Sequence, residues 1–212
     1  MEPLESRRHE EKERRREDIL DAAESVLAAK GYDDAKMDDI ARAARVSRAL
    51  LYIYFKDKRE LQFALCLRGL DLLRQRFAEA RGRHPRGVDQ IKAIGRAYIG
   101  FVQEFPVYFD ALARSEAQHT ELEDDDSVCH RMMLAGRLVH LETITALQAG
   151  EKDGSLRPDL GDPLRVAMTL WGFTHGVAQL VMTKSEIFAH EGIALNAFVN
   201  DAIDMATRSI AR

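Results

Sequence analysis

The sequence predicts an all-α protein of about nine helices, and three observations predict it. Apolar residues recur at intervals of three and four along most of the chain, which is the mark of a helix with one buried face. No stretch offers a convincing strand for another to pair with. The breaks between periodic stretches carry turn-forming or acidic residues: RGRHPRG at 81–87, Pro106, ELEDDD at 121–126, GSLRPDLGDP at 154–163 and HEG at 190–192.

The first helix is set by Ile19, Ala22, Ala23, Val26 and Leu27, spaced i, i+3, i+4, i+7, i+8, with Gly31 as its stop. Met37, Ile40, Ala41 and Ala44 mark a short second helix, whose first turn holds Asp38 and Asp39 where negative charge suits the helix dipole. Ser47 is a good N-cap for a third helix over 47–55. Its middle, ALLYIYF, is as apolar as a buried strand, but it has no strand to join. As a helix it turns Leu51 and Phe55 to the core and leaves Arg48, Ala49, Leu50, Tyr52, Ile53 and Tyr54 wholly or partly outward. An exposed apolar and aromatic face of that kind needs a partner.

The fourth helix, 58–80, carries Leu61, Ala64, Leu65, Leu72, Leu73 and Phe77 on its apolar side. Further helices are expected near 88–104, 106–118, 127–151, 162–185 and 191–211. These breaks suggest a first domain at 1–60, a connecting helix at 61–80 and a helical domain at 81–212.

With 46% hydrophobic and 31% charged residues in 212, the chain has material for an ordinary core. Cys66 and Cys129 are its two cysteines and lie far apart, so no disulfide framework is expected and a reducing cytoplasm fits. The charged stretch MEPLESRRHEEKERRRE lacks the apolar region of a signal peptide. Residues 166–183 carry no formal charge, but Thr169, Thr174, His175 and Gln179 point to a helix buried in protein and not in lipid.

The net charge of −4 gives no hint of nucleic acid, but its distribution does. Arg42, Arg45, Arg48, Lys56, Lys58 and Arg59 stand against Asp57 alone in 42–59, a cationic patch suited to a phosphate-lined partner. A second basic cluster, Arg7, Arg8, Lys12 and Arg14 to Arg16, could serve as an arm along the DNA backbone, but the interleaved Glu10, Glu11 and Glu13 favour a frayed, solvated helix. Two short helices across a tight turn, the second with an exposed face and basic flanks, describe a helix-turn-helix.

The stretch DDIARAARVSRALLYIYFKDKREL, 38–61, resembles the DNA-binding signature of the TetR (tetracycline repressor) family of bacterial regulators. Ile40, Ala41, Ala44, Val46, Ser47, Leu51, Tyr52, Tyr54, Phe55, Lys58 and Leu61 meet the pattern. The departures are Arg45 at a usual turn glycine, Lys36 at a usual Ser or Thr, Ala49-Leu50 at a frequent Gly-Thr, and Ile53 at a frequent His. The resemblance implies that Arg48, Ala49, Leu50, Tyr52 and Ile53, following Ser47, face base edges in the major groove. It implies that Tyr54 and Lys58 meet phosphates.

The resemblance also implies a C-terminal domain that dimerises and binds a small effector, and hence a repressor of a palindromic operator. Helices 162–185 and 191–211 are the expected homodimer surface, with Gly172 and Gly176 spaced for close approach of another helix. Candidate ligand contacts are Phe101, Phe105, Phe109, Met132, Trp171 and His175, with Tyr98, Tyr108 and Met168 as further wall residues. Apolar walls with a few polar tips suit an apolar or aromatic molecule.

Two rival readings compete. A helical protein-interaction domain would use the 48–53 face on another protein. A metal-dependent enzyme would draw on Glu116, His119, Glu121, Asp124, Asp125, Asp126 and His130. No G-x-S-x-G, P-loop, H-E-x-x-H or Rossmann glycine pattern occurs, so no catalytic residue, cofactor or enzyme activity is expected.

Overall fold

The computed structural model describes residues 2–117 and 128–212, the side chains of 2–6, 116, 117, 128 and 129 excepted. Among these residues it contains ten helices and no strand, beyond one isolated bridge between Leu156 and Ala211. The candidate metal residues Glu116, His119, Glu121 and Asp124 to Asp126 lie outside the described side chains. No helix among the described residues is long and apolar enough to cross a membrane.

The chain forms two compact units. The first joins residues 1–69 with 106–121, and the second joins 70–105 with 122–212. The division between the units falls within the fourth helix, and residues 106–117 belong with the N-terminal residues.

In the first unit, α1 (Glu2–Asp34) turns Ile19, Ala23 and Leu27 inward, while residues 7–14 are exposed. At Gly31 the backbone leaves the helix with φ 74°, as the glycine stop predicted. Next come α2 (Met37–Ala43), α3 (Arg48–Tyr54) and α4 (Lys58–Gly82). Leu51 and Phe55 are both essentially buried, so the ALLYIYF segment is helical and faces the core as its spacing required. In α6 (Pro106–Ala117), the Ala111 carbonyl accepts from the buried Gln62 amide of α4 at 3.1 Å. Arg68 of α4 pairs with Glu17 and Asp21 of α1 at 2.6 Å each, and Tyr108 of α6 donates to Glu24 at 2.5 Å.

The second unit is built on α5 (Gly87–Glu104), which packs against α7 (Val128–Lys152), α8 (Pro163–Thr183) and α10 (Leu195–Ile210). Gly87 makes this approach possible: a Cβ there would lie 2.0 Å from the Gly150 backbone nitrogen of α7. The first turn of α5 is capped from the α7–α8 connection, Gly87 donating to the Asp153 carboxylate at 2.7 Å and Val88 to the Ser155 hydroxyl at 3.2 Å. The ninth helix, α9 (Ser185–His190), has six residues, too few for periodicity to reveal.

Candidate DNA-reading helix and effector cavity

The α2–α3 turn is closed by a Schellman pattern, Val46 donating to the Ala41 carbonyl at 3.0 Å and Arg45 to the Arg42 carbonyl at 3.2 Å. The pattern requires a left-handed residue, and Arg45 supplies it with φ 55°. Ser47 caps α3 by accepting from the Leu50 amide at 3.1 Å. At the second helix the backbone N–H of Lys36 donates to Asp39 at 3.2 Å, so the carboxylate takes part in the cap and the Lys36 side chain is not needed.

With Leu51 and Phe55 inward, α3 shows a continuous outer face. Arg48, Ala49, Tyr52 and Ile53 are exposed, Ile53 by 74%, and Leu50 and Tyr54 are half-buried. Arg48 pairs with Asp38 at 3.3 Å and lies over the Tyr52 ring, 5.6 Å from its centroid. Both partners of the ion pair are largely exposed, so it is weak and exchangeable.

Lys58 behaves differently from its neighbours. Its ammonium donates to the Tyr32 carbonyl and sits 4.3 Å from the Tyr32 ring centroid, and burial lowers its pKa from the ordinary lysine value. Sequence spacing could not show that the end of α1 comes within its reach. Nearby, the amide of Glu60 donates to Asp57 at 2.8 Å, and the Glu60 carboxylate accepts from the Lys56 amide at 2.7 Å. The chain thus caps the first turn of α4 with its own carboxylates.

The second unit holds a small cleft, partly open to solvent. Its walls come from α5 (Ile91, Ile94, Tyr98), α7 (Val139, His140, Thr143), α8 (Leu170, Trp171, Thr174) and α10 (Ile203, Ala206, Thr207), with Phe77 of α4. Among the described residues, no charged side chain lines it.

Of the six ligand candidates read from the sequence, Trp171 is on this wall. Phe101 is fully buried against Phe105 at 5.6 Å, and Phe105 lies under Arg76 at 4.8 Å. Met132 is half-buried on α7, and Phe109 is buried within the first unit. His175 is 2.8 Å from the Tyr98 hydroxyl through Nδ1 and 5.4 Å from the Trp171 ring, but does not line the cleft. His140 does, edge-on to Trp171 at 5.6 Å. Burial holds its pKa below the usual imidazole value, so it is neutral at pH 7.

The outer face of α8 and α10 is apolar. Phe173, Leu180 and Met205 are exposed around Gly172 and Gly176, where an added Cβ would meet nothing within 4 Å. Phe198 and Val177 complete a shallow groove between the two helices.

The family model described as "Bacterial regulatory proteins, tetR family" matches residues 19–65. Over 92 residues, 43% of the chain, the sequence is 33% identical to the HTH-type transcriptional activator FasR of Mycolicibacterium smegmatis; the match spans 42% of that relative's length. Over 177 residues it is 28% identical to the HTH-type transcriptional regulator TtgR of Pseudomonas putida, covering 81% of each chain. The fold is similar to that of a protein of unknown function from Rhodococcus sp. RHA1, with TM-score 0.75, 22% identity, and 93% and 95% of the two chains covered. It is also similar to the regulator FadR of Bacillus subtilis, solved with stearoyl-CoA, with TM-score 0.69, 18% identity, and 90% and 96% covered.

Proposed function

From its membership of the TetR family of bacterial regulatory proteins, we propose that the chain is a dimeric, ligand-responsive transcriptional repressor. It reads a palindromic operator with α3 and is released by a small apolar effector bound in the cleft of the second unit.

The observation that carries the DNA reading is the outer face of α3. A seven-residue helix, capped at Ser47 and pinned by Leu51, holds Arg48, Ala49, Leu50, Tyr52 and Ile53 towards solvent beside exposed Arg42, Arg45, Lys56 and Arg59. Arg48 has the geometry to bond guanine O6 and N7, and Leu50 and Ile53 suit thymine methyls. Tyr54 and Lys58 supply phosphate contacts, Lys58 by exchanging the Tyr32 carbonyl for a phosphate oxygen. Leaving a neutral acceptor for an anion strengthens the bond.

Dimerisation uses the outer face of α8 and α10. Bare backbone at Gly172 and Gly176 lets a second copy pack closely, and Phe173, Leu180 and Met205 supply the apolar area. A two-fold pair of α3 helices then matches a two-fold operator.

The regulator FadR was solved with stearoyl-CoA, which supports a lipophilic effector here without fixing it. A ligand releases DNA only if it favours a conformation in which the paired α3 helices no longer match the half-sites. Among the described helices α4 alone has residues in both units, from Lys58 to Phe77, and is the proposed route of coupling.

The test is a gel-shift titration across salt with the operator-proximal DNA of the chain's own gene. Specific binding that weakens steeply with salt supports the reading. Salt-insensitive capture, or none, favours the protein-interaction alternative.

A further inference from the structure

The polar atoms of the cleft are few, and most are already engaged. Thr174 returns its hydroxyl to the Leu170 carbonyl at 2.8 Å, and Thr207 to the Ile203 carbonyl at 2.7 Å. Tyr98 shares a hydrogen bond with His175 at 2.8 Å. Thr143 and His140 differ. They sit one helical turn apart on α7, both line the cleft, and among the described residues neither side chain makes a hydrogen bond. Thr143 is 93% buried, and its hydroxyl forgoes the bond to the preceding turn that Thr174 and Thr207 make.

The Thr143 hydroxyl and the His140 imidazole therefore keep hydrogen-bonding capacity that a ligand entering the cleft can use. Between them they offer two donors and two acceptors, since a neutral imidazole has one of each and a hydroxyl serves as both. A carbonyl oxygen can accept from both, and a ligand hydroxyl can accept from one while donating to the other. Around this pair stand Ile91, Ile94, Val139, Leu170, Trp171 and Ile203, and among the described residues no cation that would neutralise a carboxylate or phosphate.

We propose that the cleft takes an uncharged, largely hydrocarbon molecule bearing one hydroxyl or carbonyl oxygen, and that His140 and Thr143 together bind that oxygen. This rests on the reading of the cleft as the effector site and names the chemistry it selects. It separates the chain from a receptor that recognises a ligand by an anionic head.

The test uses four probes with one alkyl chain and different heads: 1-decanol, 2-decanone, decanoate and decanoyl-CoA. Affinities are measured by calorimetry on the full chain, with Trp171 emission reporting occupancy of the cleft. The expected result is that the alcohol and ketone bind at least tenfold more tightly than decanoate. Thr143→Val and His140→Phe should each weaken the alcohol and ketone by roughly threefold to tenfold, the range of one hydrogen bond. Thr143→Ser should preserve the preference, which a general packing role would not explain. Tighter binding of decanoate or decanoyl-CoA with a Trp171 response overturns the inference and leaves the effector site standing. If none of the four binds or moves Trp171 emission, both the inference and the effector site fall.

Discussion

The Arg48 guanidinium of α3 lies 3.3 Å from the Asp38 carboxylate of α2, and over the Tyr52 ring beside it. In the free protein this pair holds the Arg48 side chain on the protein surface. In the proposed reading, DNA binding exchanges this weak, solvated ion pair for a two-pronged bond to a base.

Arg48→Ala should therefore relax preference at one base pair, at about 1–3 kcal/mol against the favoured base, with little loss of folding stability. Lys58→Ala should weaken all duplexes alike and reduce the salt slope by about 1. Because Lys58 also holds the Tyr32 carbonyl, this variant should lose about 1 kcal/mol of stability as well. Competition binding and urea melts check both. Equal loss of sequence preference from the two substitutions would contradict the division of roles.

Arg45 occupies a left-handed turn position, φ 55°, that costs a side-chain-bearing residue about 1–2 kcal/mol. Arg45→Gly removes that strain but gives the unfolded chain more freedom, about 0.4–1 kcal/mol in the other direction. The expected net is stabilisation by about 0.5 kcal/mol, together with weaker duplex binding from the lost cation. A lower urea midpoint would show that the arginine side chain itself holds the turn.

Much of this was legible in the sequence. Ser47 and the Leu51–Phe55 spacing marked α3, its cap and its inward face. Periodicity, however, reports that a residue is buried and not what it is buried against. Phe101 and Phe105 pack on each other, while Ile91 and Ile203, equally periodic, face a void. His175 drew attention as an imidazole on an uncharged helix, yet its ring serves Tyr98. His140 and Thr143 carried a signal that could have been read: two polar residues three apart amid apolar neighbours share one face.

The same limit affects the proposed dimer surface. Ala178 belongs to the same apolar run as Gly176 but is buried in its own unit, so a charge there would unfold the chain and say nothing of association. Gly176→Arg and Met205→Arg project into open space and are the clean probes. Both should sediment as folded monomers with operator affinity reduced by an order of magnitude or more, about 1.4 kcal/mol per tenfold. Wild-type protein that is monomeric at micromolar concentration would contradict the interface.

His140 also predicts a pH dependence. Its folded pKa lies below the imidazole value of about 6.5, so as pH falls below that value the unfolded chain takes up the proton first. Stability is lost from there down to the folded pKa and is constant beneath it. His140→Gln cannot titrate and should lose less stability between pH 7 and pH 5 than wild type does, by urea midpoint. Identical losses would show that the ring is solvated.

The most direct test of the central claim is selection of duplexes from a random-sequence pool by the wild-type chain, with Arg48→Ala in parallel. The account predicts an enriched palindrome whose half-sites lie about one helical turn, or a multiple of it, apart, as two α3 helices related by a dyad require. It further predicts that Arg48→Ala enriches a motif degenerate at one symmetric position of each half-site. No enrichment above background, or a motif unchanged by Arg48→Ala, would contradict it.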